Sequence, residues 1–216
     1  MLANNKSKLL SLILFLTLAG CAASEPSKPS PVVAAPPAAV SQAWLDDFEP
    51  QLAEAIKGSH FQLERRDDLL VVTAPVQGSF NPDRPHMLLP VTLGPISRIA
   101  KLVEHDQNVA AVVLGHADSS GAADANRDLS YQRARAFTSI FRLSGMKQDR
   151  LLVKGMGSDM PRAANDSVEG RALNRRVEIL VTPRVTMRAL VAKYSQPTPA
   201  VPVLAEKQVV VADQVK

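Results

Sequence analysis

The chain has 216 residues, 46% hydrophobic and 21% charged, which is enough apolar content for one core of ordinary size with extensions, not for two. Twenty-five Lys and Arg against 21 Asp and Glu leave a formal charge of +4, too small a surplus, without any dense basic block, for a nucleic-acid binder. Sixteen prolines and 4% aromatics mark part of the chain as linker, and a single cysteine excludes an internal disulfide or a multi-cysteine metal site.

Residues 1–20 read as a targeting segment. Lys6 and Lys8 precede an apolar run from Leu9 to Leu18, which is shorter than the roughly 20 residues of a spanning helix. The run ends in Leu18-Ala19-Gly20-Cys21, which resembles the bacterial lipobox and implies that Cys21 is lipidated and becomes the first mature residue. Several acyl chains on one residue give stable anchoring where one chain gives only marginal binding. Ala22, not Asp, follows the cysteine, and by resemblance to enterobacterial lipoproteins this implies export to the outer membrane. Residues 21–41 form the lipidated cysteine and a Pro/Ala-rich linker, with five prolines between 22 and 40. At roughly 3.1 Å per residue, the nineteen residues 22–40 reach on the order of 60 Å when fully extended.

In residues 42–58, Trp44, Leu45, Phe48, Leu52, Ala55 and Ile56 recur at helical spacing and Gly58 is the stop, which predicts a short amphipathic helix. Residues 59–183 then form the main domain. The alternation Phe61-Gln62-Leu63-Glu64, a turn at Arg66-Asp67 and the β-rich Leu69–Thr73 predict a hairpin, and residues 76–90 are Pro-rich and irregular. Leu93, Ile96, Ile99, Ala100, Leu102 and Val103 predict a helix, and the continuous apolar run Val109–Leu114 predicts a buried strand. A longer helix runs from about Ala125 to Ser144 with Gly145 at its end, Leu151–Val153 is a strand, residues 155–170 are loop, and Asn174–Val181 closes the domain as a strand. In the tail 184–216 only Met187–Tyr194 suggests a helix.

Three sites along this order carry chemistry. On the long helix Leu129, Arg133 and Phe137 are four apart, and Ala136 and Ile140 widen the stripe, so Arg133 sits on a core-facing side. A lone buried charge costs several kcal/mol, so its guanidinium must meet an anion, supplied by the protein or by a ligand. In the closing strand Arg175 shares a face with Val177, Ile179 and Val181, while Arg176 falls with Glu178 and Leu180 at a solvated or salt-bridged position. Asp118 lies just beyond the strand Val109–Leu114, where α/β sheets bind ligands. A carboxylate beside two forked guanidinium donors suits a ligand with both an ammonium and a carboxylate, which is an amino-acid-like group.

The run GHADSSGAADANRDLSYQRARA, followed by G-M-G and NRRVEI, resembles the OmpA-like C-terminal domain shared by Pal, MotB and outer-membrane lipoproteins. The resemblance implies a two-layer α/β (α+β) domain of order β-α-β-α-β-β with a mixed sheet, which binds peptidoglycan non-covalently through the meso-diaminopimelate of the stem peptide. It further implies that Asp118 takes the ammonium of that residue and Arg133 its carboxylate. Asn126 and Arg175 fall on motif positions lining the same pocket, and His116 supports the loop. Two features depart from the family. Ala117 stands where Thr is usual, and Phe80-Asn81-Pro82-Asp83-Arg84-Pro85 replaces the usual F-D-x-x-S-A segment at the rim.

Two functions remain from these residues. One is a lipid-anchored outer-membrane tether whose domain faces the periplasm and binds the wall. The other is a protein-interaction module of an envelope machine or signalling complex, using the tail and envelope protein partners. The plain structural alternative for Asp118 and Arg133 is a mutual salt bridge tying loop to helix. His116, Asp118 and Asp124 are too few ligands for a metal site, and Ser119 and Ser120 lack a nucleophile-elbow context, so neither a cofactor nor an enzymatic activity is expected.

Overall fold

The computed structural model describes residues 41–67 and 69–195. The targeting segment, Cys21, the linker up to residue 40 and the tail beyond 195 lie outside the described residues. Among the described residues no helix is long and apolar enough to cross a membrane.

Helix α1 (Gln42–Ile56) starts where Ser41 turns its side chain back to accept from the Trp44 amide at 3.2 Å, which satisfies one free N–H of the first turn. Strands β1 (Gln62–Arg66) and β2 (Leu69–Pro75) form the expected hairpin, with Asp67 at φ 51° in the turn. Helix α2 (Pro90–His105) buries Ile96, Ile99, Ala100 and Val103, while Leu93 faces solvent. Next come β3 (Val109–Gly115) and α3 (Ala123–Leu143), which ends in a Schellman closure: the Met146 amide donates to the Phe141 carbonyl and Gly145 to Arg142. After a single 3-10 turn at Gln148–Arg150 come β4 (Leu151–Gly155), a short α4 (Val168–Asn174), β5 (Arg176–Pro183) and α5 (Arg184–Ser195).

Two boundaries differ from the sequence reading. The closing strand begins at Arg176, not Asn174, because residues 168–174 form about two turns of helix, too short to show a period and interrupted by Gly170. The tail helix is complete and packed. It carries Met187, Leu190 and Tyr194 onto the sheet, so it belongs to the same body as the domain.

The five strands are ordered β1-β2-β5-β3-β4, all antiparallel except the β3–β4 pair, so β1 and β4 are the edges. Odd-numbered residues of β3 and β5, such as Val113 and Ile179, face α1, α2 and α3 in the main core. Even-numbered residues, such as Val112, Leu114 and Leu180, face α5. The continuous apolar run of β3 is thus covered on both sides, as such runs require.

Arg150 is buried at the foot of the main core. Its Nη1 donates to the carbonyls of Val103, Asp106 and Val109 at 2.7–3.1 Å, so a cation closes the carbonyl-rich end of α2. On the α5 side, Arg176 and Glu178 are also buried. Glu178 Oε1 accepts from Arg176 Nε at 2.8 Å and from Arg66 at 3.1 Å, and His116 Nε2 lies 3.6 Å from its other oxygen. Burial acts to raise the Glu178 pKa, but His116, Arg66 and Arg176 outweigh it and hold the carboxyl well below its ordinary value of 4.5.

Helix α3 lies unusually close to the ends of β3 and β4. A Cβ on Gly115 would sit 1.9 Å from the Ser130 carbonyl oxygen, and one on Gly155 would sit 2.5 Å from that of Arg127. Gly115→Ala therefore has to push helix from sheet and is expected to destabilise the fold by about 1–3 kcal/mol or more in urea denaturation. A carboxyl whose folded pKa is depressed contributes fully above its unfolded value and loses that contribution as pH falls. Stability should accordingly decline below about pH 4.5, the ordinary Glu value. Glu178→Gln should flatten that acid limb while costing about 3–5 kcal/mol at neutral pH by leaving the buried Arg176 guanidinium without a carboxylate, both measurable by thermal melts across pH.

Candidate functional site

The site forms where β3 leaves the sheet, β5 enters it, and the first half of α3 passes over both. Asn126, Ser130, Arg133, Ala134, Phe137 and Phe141 make the buried stripe of α3, so Arg133 does face the core, with only 6% of its surface exposed. Its Nε donates to the Pro85 carbonyl at 2.8 Å, and its guanidinium carbon stands 5.7 Å over the ring of Phe80. Phe80 in turn packs on Phe137, 5.8 Å between centroids. Among the described residues no carboxylate lies within 4.0 Å of the Arg133 guanidinium. Burial first, and then the nearby positive Arg175, pull its pKa down to about 10, and the more distant Asp118 charge offsets only part of this.

Asp118 pairs with Arg175, not with Arg133. Its Oδ2 accepts from Arg175 Nη1 at 2.6 Å and its Oδ1 from the Ser120 amide at 2.9 Å. Burial acts to raise the Asp118 pKa, but the bonds from Arg175 and Ser120 win and hold the carboxyl below its usual range. Arg175 caps α4 one residue before β5, and its side chain is one-third exposed. Its side chain reaches the helix side of the sheet, where Val177 and Ile179 also face. Arg133 and Arg175 line one cavity of about 460 Å³, whose floor and rim include Phe80, Asn81, Pro82 and Pro85. The segment that departs from the family pattern therefore builds the rim with its own residues, and a backbone carbonyl from it orients Arg133.

Asn126 serves the loop. Its Nδ2 donates to the carbonyls of Asp118 and Ser120 at 3.1 and 2.8 Å, which fixes the turn that presents Asp118. His116 also lies away from this cavity, on the α5 side of the sheet beside Glu178. Two residues that the sequence reading did not single out organise the surroundings. Asn165 Oδ1 accepts from the Ser119 amide at 3.1 Å, and Asn174 Oδ1 accepts from the amides of Arg162 and Ala163 at 2.7 and 3.0 Å. Together they clamp the 158–167 loop against the 116–121 loop. Asn174 opens the NRRVEI run, so the signal was present without the role being visible.

What this arrangement offers, among the described residues, is a buried cation whose forked donors lack an anion, next to an ion pair of a buried Asp118 and a one-third exposed Arg175. A ligand carboxylate would supply the missing charge, and a ligand ammonium would be drawn to Asp118. A cation with a depressed pKa destabilises the empty fold at neutral pH, so Arg133→Met, which keeps the packed stem, is expected to leave the protein as stable as wild type or up to about 1–4 kcal/mol more stable. A loss of stability in urea denaturation would show instead that Arg133 is held for structure.

Residues 88–175 match the OmpA family. The chain is 30% identical over 140 residues to "Probable lipoprotein YiaD" of Escherichia coli, covering 65% of this chain and 64% of that protein. It is 34% identical over 94 residues to the peptidoglycan-binding protein ArfA of Mycobacterium tuberculosis, covering 44% of this chain and 29% of that one. The chain thus spans just under two thirds of the first relative and under a third of the second. Among solved structures, the cell wall anchor of the T6SS from Pseudomonas aeruginosa superposes with a TM-score of 0.53 at 29% identity, over 62% of this chain and 98% of that one. Asp118, Asn126, Arg133 and Arg175 all fall inside residues 88–175, the stretch of this chain that matches the OmpA family.

Proposed function

We propose that this protein binds peptidoglycan non-covalently, through the meso-diaminopimelate of the stem peptide, and tethers the wall to the outer membrane by lipid on Cys21. The observation that carries the proposal is Arg133: a buried guanidinium, oriented by Pro85 and Phe80 and opening on a cavity shared with Arg175, with no carboxylate partner among the described residues. Diaminopimelate carries an ammonium and a carboxylate on one carbon at the end of its side chain. In this reading the carboxylate docks bidentately on Arg133 and the ammonium on Asp118, with Arg175 retained as the partner that keeps Asp118 ionised. Asn126 positions the loop. Catalysis is not involved.

The relatives support the wall as target: ArfA is named a peptidoglycan-binding protein, and the 29% identical structure is a cell wall anchor. The lipobox-like Leu18–Cys21, Ala22 and the Pro-rich residues 22–40 support an outer-membrane anchor with a spacer. For the interaction-module reading, Met187, Leu190 and Tyr194 of helix α5 are already packed on the sheet and are not free for a partner.

The test is co-sedimentation of the chain lacking residues 1–21 with purified sacculi. Wild type is expected to pellet and to be released by free meso-diaminopimelate. Arg133→Met and Asp118→Ala are each expected to weaken binding about 10- to 100-fold while remaining folded by circular dichroism. Wild type staying in the supernatant, or Arg133→Met pelleting as well as wild type, would overturn the assignment and favour a protein partner. Separately, Cys21→Ser should move the full-length protein from the membrane to the soluble periplasmic fraction.

A further inference from the structure

The α5 side of the sheet holds a second cavity, of about 290 Å³, to which Arg66, His116, Arg162, Arg176 and Glu178 contribute. By strand parity it lies across the sheet from the Arg133 cavity: Arg66 pairs with Leu69, and Glu178 with Thr73, all on the face that α5 covers. Among the described residues, three guanidinium groups meet only two carboxylates there. Both carboxylates are occupied. Glu178 accepts from Arg66 and Arg176, and Glu64 accepts from Arg66 and Arg162. One positive charge is therefore left over.

The second observation is His116. It is 1% exposed, and among the described residues neither ring nitrogen has a hydrogen-bond partner. A neutral imidazole carries one donor and one acceptor, and leaving a buried donor unmet costs about 1–3 kcal/mol. The ring borders the cavity, and its Nε2 stands 3.6 Å from Glu178, close enough to act on that carboxyl's pKa but longer than a hydrogen bond. A fold that buries a polar ring without a partner beside a surplus of guanidinium groups has prepared the place for a small group that accepts hydrogen bonds and carries negative charge. Glu64, Arg66, Arg176, Glu178 and Tyr194, which closes one wall, lie outside residues 88–175, while His116 and Arg162 lie within them.

We propose that this cavity is a binding site for a small oxyanion, a carboxylate or phosphate group, held by the surplus guanidinium charge of Arg66, Arg162 and Arg176 and by the ring N–H of His116. The site is independent of the wall-binding reading, since the two cavities share no lining residue.

The experiment titrates inorganic phosphate, and in a parallel arm acetate, into the chain lacking residues 1–21. It follows the ring nitrogens of His116 by long-range proton–nitrogen NMR, the peak being assigned by its absence from His116→Gln. Sodium chloride at matched ionic strength is the control. The expected result is a saturable shift of the His116 signal in the millimolar range, kept in Arg133→Met and weakened at least about tenfold in Arg162→Gln, whose side chain is one-third exposed and removable without opening the core. The arm with the lower midpoint assigns phosphate or carboxylate. A His116 signal that stays still up to about 50 mM of both anions, or moves equally with sodium chloride, overturns the proposal and leaves a cavity that holds water only. A midpoint unchanged in a folded Arg162→Gln overturns it too, and the wild-type titration decides the matter alone if that variant does not fold.

Discussion

A guanidinium group cannot give up its charge at neutral pH, so each one taken out of water must be met by acceptors, and this fold takes in several. Arg150 is met by backbone carbonyls at the end of α2, Arg176 by Glu178, and Arg175 by Asp118. Arg133 is met by one carbonyl and an aromatic face, neither of which neutralises it. The first three stabilise the body by closing a helix end, bracing the α5 side of the sheet, and tying the loop after β3 to the start of β5. The fourth is held in place by that bracing. Of these four it is the one that lines a cavity with no carboxylate partner among the described residues, and that is what a ligand can use.

The site depends on how closely α3 approaches the sheet. Gly115 and Gly155 remove the side chains that would hold the helix off, and Arg133 is thereby brought within range of the cavity that Arg175 reaches from the opposite wall. The loop carrying Asp118 is set by Asn126 from above and Asn165 from the side. Precision at the ion pair thus comes from backbone contacts that no single charged residue reveals.

Legibility followed the strength of each pattern. The stripe of α3 placed Arg133 inward because four-residue spacing survives in any long helix, and the parity of β5 put Arg175 and Arg176 on opposite sides even though the strand itself starts at Arg176. The partner of Asp118 was not legible, because Arg133 and Arg175 approach it from elements far apart in sequence and only packing decides between them. The Pro85 carbonyl was invisible for another reason, since a backbone acceptor has no identity in a sequence. α5 had a visible apolar stripe, and β3 was apolar on both faces, but joining the two requires knowing which side of the sheet the main helices leave bare.

The strand order has a further consequence. The sheet ends on one side with β1, five residues of which Glu64, Arg65 and Arg66 are charged and engaged in ion pairs to both sides, and on the other with the five-residue β4 bearing Lys154. Short, charged borders resist pairing with an incoming extended chain. Growth of the sheet by exchange of strands between copies, the common road to tangled dimers and fibrils, is discouraged at both margins. In a crowded compartment this body can be packed densely against its neighbours and still meet them only through side chains and loops.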